Sequence, residues 1–400
     1  MHRRHSREFD AGWIAYVGPI LFPWGQPGSR RVYGIARSLT EAGRNVVVAS
    51  GEETPDLVTM LSSDVDGGTL GYIGVNELPR NSEGPLSKAL QVLVRWGSRT
   101  VNWLDRQSSR PSHVVVYGGN AQYMFYLSRW CKRNKVPLIV DVVEWYSPQQ
   151  LIGGFFGPSH LGVKLALRYQ YPRADGIIAI SSLLESYYRQ RGCRVIRIPP
   201  TMDVQNLALK EPTDRADDRI SLVYAGTPGK KDLLEHVILG VEQVDAAGKL
   251  LELRIVGPTL SQVSELLKNR ALPQSVKVLG RLSQQDVSTV LQASDFSVLL
   301  RKPKRFAHAG FPTKFCESLA NGTPVIANIT GDLGTYLRDG HEGLVSPDHS
   351  VASFAHTLRR ALELSRRDRD AMRSSARLQA TQSFDFRRYT EEVDEFFSAG

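Results

Sequence analysis

The sequence predicts an α/β fold with two doubly wound, Rossmann-like domains that face a central cleft. Short apolar strands alternate with amphipathic helices, which is typical of parallel sheets covered on both faces. The alternation pauses once, in a polar linker at 204–219, and 400 residues exceed what one hydrophobic core usually holds. We therefore expect an N-terminal domain at 1–203 and a C-terminal domain at 220–382. A C-terminal helix at 383–400 is expected to pack back on the first domain.

The first half contains five runs rich in β-branched residues, each short enough to be a buried strand. Between the first two, the stretch 30–43 has apolar residues at helical spacing and stops at Gly43, a usual helix terminator. The five runs are WIAYV (13–17), NVVVAS (45–50), HVVVYG (113–118), PLIVDVV (137–143) and DGIIAIS (175–181).

After the linker the same pattern restarts, which predicts a second parallel sheet. Ligands of such sheets bind at the carboxyl ends of the strands, so we expect the chemistry in the cleft between the two domains. The predicted strands are ISLVYAG (220–226), LELRIVG (251–257), SVKVLG (275–280), FSVLL (296–300) and TPVIA (323–327).

The composition is that of a globular protein, with 42% apolar and 23% charged residues. Three isolated cysteines, Cys131, Cys193 and Cys316, predict neither a zinc site nor a disulfide framework and fit a reducing cytosol. No apolar run reaches the ~18 residues of a membrane span. The basic start, MHRRHSREFDAG, is interpreted as a tail before the first strand rather than a signal peptide. The net charge of +9 favours anionic partners.

The segment VYAGTPGKKD (223–232) places a glycine-rich turn and paired lysines between a strand and a helix. Gly226 and Gly229 bend the chain, and backbone amides with ammonium groups at such a turn suit a diphosphate. The glycine spacing is too short for a Walker A loop, and no Ser or Thr follows the lysine. A solvated turn is the alternative interpretation.

The segment 308–328, HAGFPTKFCESLANGTPVIAN, runs from a glycine-rich elbow into a short helix. Pro312 is well placed as the first helical residue, and the positive helix end attracts phosphate. The first turn then leaves three backbone amides pointing out of the helix, those of Thr313, Lys314 and Phe315.

Glu317 lies four residues after Thr313, on the same face of this helix. A carboxylate at that place can accept two hydrogen bonds from a ribose diol while phosphate occupies the helix end. The structural alternative is an ion pair between Glu317 and Lys314 at i+3, which contributes a few tenths of a kcal/mol (roughly 0.2–0.5).

The segment GFPTKFCESLANGTPVIA, followed by GDLGTYLRDGHEGLV, resembles the donor-site signature of GT-B glycosyltransferases of family 4, the retaining group 1 type. The resemblance extends in order through VYAGTPGKKD, LRIVGP and VKVLGRLSQQDVSTVLQASDFSVLL, and through ADGIIAISSLLESYY in the first half. It covers most of the chain from about residue 110 to 397, and several motifs in order are more specific than any one. The Pro-Thr-Lys form is similar to a surface-polysaccharide branch.

The resemblance implies a donor site in the C-terminal domain. It assigns the donor ribose to Glu317 and phosphate binding to Lys231, with Lys230 as a neighbour, so that Lys231, Lys314 and Glu317 would carry the catalysis. Other donor-binding residues implied by the match are Gly226, Arg281 and Leu282 for the nucleobase segment, and Gly310, Thr313 and Phe315 for the diphosphate loop.

On the acceptor side, the resemblance places Gly28 in a glycine loop near the donor phosphates and the acceptor. The stretch DVVEWYSP (141–148) matches the acceptor-side loop, with Asp141 and Glu144 as contacts for the acceptor hydroxyl. The sequence departs from the family pattern at Ala309, where the first family glutamate would stand, and at Thr227, where an arginine is common. The acceptor-side histidine of the family is not evident.

The resemblance also implies chemistry without a metal ion. No Asp-x-Asp motif precedes a plausible site, and amides, Lys231, Lys314 and the helix end would stabilise the diphosphate leaving group. In retaining enzymes of this fold the leaving phosphate itself can deprotonate the acceptor, so no general base or cofactor is expected.

Two stretches mix apolar, basic and aromatic residues in a way that suits the interface of an anionic membrane. They are 85–107, with Trp96 and Trp103, and 151–171, with a Phe155–Phe156 pair. The alternative for both is a core-facing helix with a basic outer face. The arginines from 359 to 377 are interpreted as a solvated helix face, with a membrane or nucleic-acid surface as the alternative.

The expected function is therefore a retaining, metal-independent hexosyltransferase of the cytoplasm or the inner face of the membrane, in cell-surface polysaccharide or glycolipid synthesis. It would move a sugar from a nucleotide-sugar donor, a UDP-sugar before a GDP-sugar, to a glycan or lipid-linked acceptor. Two alternatives stay open: a non-catalytic nucleotide-sugar-binding subunit, and a nucleotide-sugar 2-epimerase of the same fold. No motif supports nucleic-acid binding, and no Gly-x-Gly-x-x-Gly supports a dehydrogenase.

Overall fold

The computed structural model describes residues 12–24, 27–55, 58–63, 67–79, 94–147, 154, 157–209, 219–227 and 231–399. The chain divides into two compact units, Met1–Met202 with Phe386–Gly400, and Asp203–Asp385. Each unit is an α/β structure built on one sheet. The basic N-terminal tail, Lys230 and the Phe155–Phe156 pair lie outside the described residues.

The first unit is built on a doubly wound sheet in the order β3-β4-β2-β1-β5-β6-β7-β8. Its strands are parallel except β3, which is antiparallel to β4 at one edge. The central strands are buried, except for the half-buried Tyr117 at the end of β5, because their β-branched residues face helices on both sides. The strands described are β1 (Ile14–Val17), β2 (Val46–Ser50), β3 (Thr59–Ser63), β4 (Thr69–Gly74), β5 (His113–Tyr117), β6 (Leu138–Val142), β7 (Gly176–Ala179) and β8 (Val195–Arg197).

The helices of the first unit connect these strands. The first begins three residues earlier than predicted and ends two residues before Gly43. The third is capped by Asn120, whose Oδ1 accepts the amide of Tyr123 at 3.0 Å. The helices described are α1 (Pro27–Glu41), α2 (Ser98–Asp105), α3 (Ala121–Asn134), α4 (Pro158–Leu165), which continues as a π-helical turn (Ala166–Gln170), and α5 (Ser182–Arg189).

The second unit contains a parallel sheet in the order β11-β10-β9-β12-β13-β14. The chain moves outward from β9 to β11 on one side and then restarts beside β9 with β12, so the connections reverse direction between β9 and β12. Such a reversal opens a crevice at the carboxyl edge of the sheet. The strands described are β9 (Ile220–Ala225), β10 (Leu251–Val256), β11 (Val276–Gly280), β12 (Phe296–Leu299), β13 (Val325–Asn328) and β14 (Gly343–Ser346).

Helices cover both faces of this second sheet, and serine or threonine caps begin several of them. The core joins apolar residues of the strands to those of the helices that follow them. The helices described are α6 (Leu234–Asp245), α7 (Leu260–Leu266), α8 (Gln284–Gln292), α9 (Arg305–Ala309), α10 (Thr313–Ala320), α11 (Leu333–Tyr336), α12 (Val351–Glu363) and α13 (Arg366–Ser383).

Part of the predicted linker belongs to the second unit instead. Val204 is fully buried, and the Gln205 amide donates to Asp385 Oδ2 at 3.0 Å. Arg377 donates to the carbonyl oxygens of Val204 and Leu207, at 2.6 and 3.0 Å. These bonds attach residues 204–207 to α13 and to Asp385 just after it, while 210–218 lie outside the described residues.

The last helix, α14 (Thr390–Ser398), packs on the first unit. Arg44 Nε donates to Asp394 Oδ1 at 2.8 Å, and Phe396 and Phe397 enter the first core. The division between units falls at Phe386, because α13 continues to Ser383 within the second unit. The C-terminal segment of the first unit therefore begins three residues later than the predicted start at 383.

The position of Trp103 distinguishes between a membrane-facing and a core-facing helix for the described part of the stretch 85–107. Its ring packs edge-on against the fully buried Trp13, with centroids 5.7 Å apart. Trp103 is thus a core-facing residue of α2, as the structural alternative predicted. Residues 80–93 lie outside the described residues.

Candidate functional site

The carboxyl edge of the second sheet gathers charged side chains where the connections reverse between β9 and β12. Gly226 directly follows β9, and Arg301 follows β12 within two residues. Lys314, in the first turn of α10, extends back over the end of β9. Side chains from three chain segments therefore meet at the place where open α/β sheets bind ligands.

The ammonium group of Lys314 is the centre of this cluster. Its Nζ lies 2.5 Å from Asp232 Oδ2 and 2.9 Å from the Tyr224 hydroxyl, and 4.2 Å from the centroid of the Tyr224 ring. The tyrosine hydroxyl in turn donates to Asp232 Oδ2 at 3.3 Å. Burial and the negative charge of Asp232 raise the pKa of Tyr224 well above its ordinary value, so the hydroxyl stays protonated.

Gly226 leaves the space that Lys314 occupies. A Cβ at Gly226 would lie 2.3 Å from Lys314 Cε and 2.8 Å from its Nζ, closer than any real contact. The backbone at Gly226 also has φ +138°, which L side chains rarely adopt. The bend that the sequence predicts at Gly226 therefore serves to let a lysine cross the strand end.

Arg301 contributes a second positive charge on the other side of Asp232. Its Nε lies 3.6 Å from Asp232 Oδ1, and the side chain is buried. The backbone holds the two residues together, because Asp232 and Arg301 form an antiparallel bridge and the Leu233 amide donates to the Leu300 carbonyl at 2.9 Å. The cluster thus carries two cations and one carboxylate, a net charge of +1.

The beginning of α10 differs from the prediction in two respects. Pro312 is extended and lies just outside the helix, which begins at Thr313. The amide of Phe315 donates to the Pro312 carbonyl at 3.0 Å, and its ring is buried against Phe384, 6.0 Å away. Phe315 is therefore a core residue whose amide is already used. We assign the outward-pointing amides of the first turn to Thr313 and Lys314 alone.

Glu317 follows one turn later on α10 and is half-buried. Its backbone carbonyl accepts hydrogen bonds from the Asn321 amide and side chain, at 3.1 and 2.8 Å. The Lys314 ammonium pairs with Asp232 and not with Glu317, so the structural alternative of an i+3 pair is wrong. The role of Glu317 in ribose binding stays a prediction.

The other predicted donor residues lie around this edge. Lys231 is half-buried in the turn just before Asp232, and Arg281 is exposed directly after β11. Leu282 packs against a small core cluster that includes Val223 and Leu291. Gly310 ends α9, with its amide donating to Phe306 O at 3.2 Å, and Ala309 beside it is fully buried.

Asp141 is not an acceptor contact, contrary to the prediction. It lies inside β6 and is fully buried, where Arg31 Nη2 donates to its Oδ1 at 2.9 Å and the Tyr16 hydroxyl to its Oδ2 at 2.7 Å. Arg31 also donates to the carbonyls of Ile198 and Pro199. The carboxylate is thereby occupied within the core of the first unit.

Gly28 and Glu144 lie at the carboxyl edge of the first sheet. Gly28 stands in the first turn of α1, and a Cβ there would lie 2.8 Å from the Tyr117 hydroxyl, so this glycine permits a close approach of α1 to β5. Glu144 is half-buried two residues after β6. The pKa of Tyr146 is raised by the burial of the tyrosine itself and, as a smaller contribution, by the negative charge of Glu144. The acceptor roles of Gly28 and Glu144 stay predictions.

Sequence reasoning missed three members of the cluster: Asp232, Tyr224 and Arg301. Tyr224 and Asp232 stand in the quoted segment VYAGTPGKKD, but only its glycines and lysines were selected. One signal was present, since a carboxylate directly after paired lysines at a strand-to-helix turn suggests a fixed ion pair. Nothing local links it to Lys314, which is 82 positions away.

Among the described residues, no group of three or more His, Cys, Asp or Glu side chains is placed to hold a metal ion. In the same part of the chain, no helix has both the length and the apolar character needed to cross a membrane.

Comparison with known families resolves the identity of both units. Residues 206–379 match the family model "Glycosyl transferases group 1", and residues 28–201 match "Glycosyl transferase 4-like domain". The chain belongs to the group 1 glycosyltransferases. The two matches together cover most of the sequence, so both halves are glycosyltransferase domains, and the predicted family is confirmed.

Curated relatives are similar over part of their length. A D-inositol 3-phosphate glycosyltransferase of Mycobacterium sp. (strain KMS) is 26% identical over 204 residues, which cover 46% of this chain and 44% of the relative. The chain therefore aligns with less than half the length of that protein. An equivalent enzyme of Mycobacterium sp. (strain JLS) is 28% identical over 122 residues, which cover 28% of this chain and 27% of the relative.

Solved structures confirm the GT-B fold of this group 1 glycosyltransferase. HepE of Anabaena, in complex with UDP and glucose, matches with a TM-score of 0.68 at 17% identity, over 97% of this chain and 99% of that one. Sucrose-phosphate synthase of Thermosynechococcus elongatus matches with a TM-score of 0.71 at 14% identity, over 97% and 98%. At these identities the likeness establishes the fold.

Proposed function

We propose that this protein is a retaining, metal-independent hexosyltransferase that moves a sugar from a nucleotide-sugar donor to a hydroxyl acceptor. The observation that carries the proposal is the Lys314–Asp232–Arg301 cluster at the carboxyl edge of the second sheet. A site of net positive charge beside the first turn of a helix suits the diphosphate of the donor. UDP-sugars are the favoured donors because HepE, which has the same fold, was solved with UDP and with UDP-glucose.

The chemistry assigned to the cluster is stabilisation of the leaving group. As the bond between sugar and diphosphate breaks, negative charge accumulates on the departing phosphate oxygens. Lys314, Arg301 and Lys231 would neutralise this charge, and the amides of Thr313 and Lys314 would donate hydrogen bonds to it. In the proposal these groups take the place of a divalent cation.

Lys314 also offers a reason why Thr227 is tolerated. Family members commonly place an arginine at this position, directly after the strand-end glycine. Here the Lys314 ammonium, which comes from α10, lies over Gly226 and brings a positive charge to within one residue of Thr227. We infer that Lys314 of α10 supplies the positive charge at the end of β9 that an arginine at position 227 supplies in other family members.

Asp232 acts in this proposal as a positioning residue. An unpaired lysine side chain samples many rotamers, and fixing it in advance reduces the entropy lost on binding. The bonds to Asp232 and Tyr224 hold the ammonium over Gly226 before the donor arrives. Arg301 keeps the Asp232 carboxylate oriented from the opposite side.

Two further roles complete the proposal. Glu317 would accept hydrogen bonds from the ribose hydroxyls, and the departing phosphate would deprotonate the acceptor hydroxyl. The acceptor is proposed to be a glycan or a lipid-linked glycan in the synthesis of surface polysaccharide or glycolipid. The protein would work in the cytoplasm, at the inner face of the membrane.

One observation favours a second candidate, a nucleotide-sugar-binding subunit without catalysis. The position of the first family glutamate is the fully buried Ala309, so the usual carboxylate contact to the transferred sugar is missing. A binding subunit would keep the Lys314 cluster and Glu317 but would not break the bond to the sugar.

The test is a thermal-shift and donor-hydrolysis panel of UDP-, GDP-, dTDP- and CMP-sugars, each with and without EDTA. Stabilisation by one nucleotide class, with slow EDTA-insensitive release of its diphosphate, is the expected result. Stabilisation without hydrolysis, repeated with polysaccharide and lipid-linked acceptors present, would select the binding subunit. No response to any nucleotide would overturn the donor-site assignment of Lys314 and Glu317.

A further inference from the structure

Helix α4 of the first unit exposes a line of large apolar side chains. Leu161, Leu165 and Tyr169 are 50%, 47% and 56% exposed, although each is large and mostly hydrocarbon. They follow one another at intervals of four residues along α4 and its π-helical continuation. Single exposed apolar residues are ordinary on protein surfaces, but three in a row on one helix face are not.

The π-helical turn is what brings Tyr169 into line. In an α-helix each residue advances about 100°, so four steps overshoot a full turn by about 40° and eight steps by about 80°. A π turn holds more residues, so each residue in it advances less, and the four steps from Leu165 to Tyr169 undershoot a turn. The undershoot cancels the overshoot between Leu161 and Leu165. We call these three residues the α4 stripe.

The opposite side of this helix is fixed to the first unit, so the stripe cannot turn inward. The Tyr188 hydroxyl donates to the Leu167 carbonyl at 3.0 Å, and the Tyr171 hydroxyl donates to the Gly119 carbonyl. Gln170 Nε2 donates to the Ala121 carbonyl at 3.0 Å, which joins the π turn to the start of α3. One turn further along α3, Phe125 is a further large apolar side chain that is 51% exposed.

Basic residues predominate in the two helical segments that carry these apolar side chains, and one of them, Arg133, is paired with Asp105 of α2 at 3.2 Å. Residues 157–174 and 121–135 contain no Asp or Glu, while they contain seven lysines and arginines. Arg168 lies within the π turn and Arg129 one turn after Phe125, and both are exposed. The seven basic residues are Arg129, Lys132, Arg133, Lys135, Lys164, Arg168 and Arg173.

We propose that the α4 stripe, with Phe125 and the surrounding basic residues, docks this protein on an anionic lipid bilayer. Leucine, phenylalanine and tyrosine side chains enter the boundary between headgroups and acyl chains, while lysines and arginines contact the acidic headgroups. This inference rests on the proposed function in one respect: a lipid-linked acceptor would be presented at that surface. It names the face of the molecule that meets the membrane.

Charge selects a membrane over a second copy of this chain. A two-fold symmetric contact places the same patch on both partners, so the basic residues beside the stripe of one copy would approach those of the other. An anionic bilayer instead supplies both an apolar interior and the opposite charge. The stripe also runs along a single helical segment, which suits a planar interface.

The experiment is co-sedimentation of the full chain with vesicles of phosphatidylcholine alone, and with vesicles in which about a third is phosphatidylglycerol. Wild type is expected to bind the anionic vesicles and to be released as salt is raised. The variant Leu161→Ser/Leu165→Ser/Tyr169→Ser should lower the partition coefficient at least about tenfold. The matched control is Leu250→Ser/Leu260→Ser/Leu378→Ser, which removes three leucines of the second unit that are 50%, 59% and 57% exposed.

A second variant, Arg129→Gln/Lys132→Gln/Arg168→Gln, keeps the apolar side chains and should weaken binding to anionic vesicles only. Binding by neither vesicle type, or equal loss in the α4 variant and the control, overturns the proposal. If light scattering shows a dimer that the α4 variant dissociates, the stripe is a contact between two copies of this chain and the membrane proposal is wrong. Thermal shift with UDP, measured without vesicles, separates this outcome from failure of the donor site, since the α4 variant should keep its UDP response.

Discussion

Each unit of this glycosyltransferase contains a cation–carboxylate pair near the carboxyl ends of its strands, and the two pairs differ in what surrounds them. In the first unit, the side chains of Arg31 and Asp141 are 2% and 0% exposed. In the second unit, those of Lys314 and Asp232 are 22% and 13% exposed. Burial alone does not account for their different roles, because both pairs lie deep at a sheet edge.

The decisive difference is how many partners each cation has. Arg31 donates to Asp141 and to two backbone carbonyls, so its directional guanidinium is used by the protein itself. Lys314 has an ammonium with three donors, and it contacts one carboxylate and one tyrosine hydroxyl, with Arg301 as a second cation beside the same carboxylate. A saturated pair stabilises the fold, whereas a cluster with excess positive charge can accept an anion.

The largest effect is expected from breaking the buried pair. Asp141→Asn should lower the free energy of unfolding of the first unit by about 3–5 kcal/mol, because Arg31 would remain charged in the core without a counter-charge. Urea denaturation measures this loss. Glu242→Gln, which breaks the exposed pair between Glu242 and Arg270, is the control and should change stability by at most about 1 kcal/mol. A change of similar size in both variants would show that the Asp141 pair is not structural.

Breaking the Lys314 cluster should instead affect ligand binding. Lys314→Met is expected to weaken UDP binding by about 1.5–3 kcal/mol, or roughly 10- to 150-fold, while the midpoint of thermal unfolding changes little. Isothermal titration calorimetry with UDP gives the affinity. Lys249→Met, at the amino end of β10 on the opposite edge of the sheet, should leave it unchanged. Unchanged UDP affinity in Lys314→Met would remove the cluster from the donor site.

Glu317→Ala extends the contrast from the diphosphate to the ribose. The loss of charged hydrogen bonds should weaken donor binding by roughly 1–3 kcal/mol. The same calorimetric titration, repeated with 2′-deoxy-UDP, should show little further loss in the variant, because the ribose contact is already absent. Glu363→Ala, at the exposed end of α12, serves as the matched carboxylate control. Equal affinity of wild type and Glu317→Ala for UDP would contradict the ribose assignment.

The smallest expected effect is on the pH dependence of stability, and it concerns His113, whose imidazole stays uncharged in the folded first unit. The pKa of His113 is lowered from 6.5 to about 4. Burial is the largest cause, and the positive charges of Arg44 and Arg194 add to it. The negative charge of Asp175 acts in the opposite direction. The unfolded chain therefore binds this proton at a higher pH than the folded chain, so stability is full above pH 6.5 and falls as the pH is lowered towards 4.

His113→Gln removes this titration. Between about pH 7 and pH 4.5, wild type should lose about 1–2 kcal/mol more unfolding free energy than the variant, once the partial solvent contact of the ring is taken into account. Urea midpoints at the two pH values measure the difference. Parallel pH profiles in the two proteins would show that His113 is not buried as a neutral ring against Phe397, whose centroid lies 5.0 Å away.

Most of the fold could be predicted because buried parallel strands consist of continuous apolar runs. All ten predicted strands are found within a residue or two of their expected limits. The sequence did not predict β3, whose residues TMLSS are partly polar because an edge strand faces solvent. Nor did it predict β4 (TLGYIG), the three-residue β8, or β14, where GLVS is too short to form a recognisable pattern.

The site was less predictable because its decisive contacts are not local. A motif indicated Lys314, but its partners Asp232 and Tyr224 come from a turn and a strand 82 and 90 positions earlier. For Asp141 the error was avoidable: a carboxylate inside the apolar run PLIVDVV has to be buried, and buried carboxylates require a partner. Its position in the strand predicted a structural pair better than the motif predicted a contact for the acceptor.

The close approach of Lys314 to Gly226 restricts how this site can change over time. A side chain at 226 would force the lysine to move, because its Cε lies 2.3 Å from where the new Cβ would stand, and the backbone φ of +138° would be strained. Replacing the lysine would remove the charge near Thr227. A change at Gly226 is therefore coupled to the position of the Lys314 side chain, although 88 positions separate the two residues along the chain.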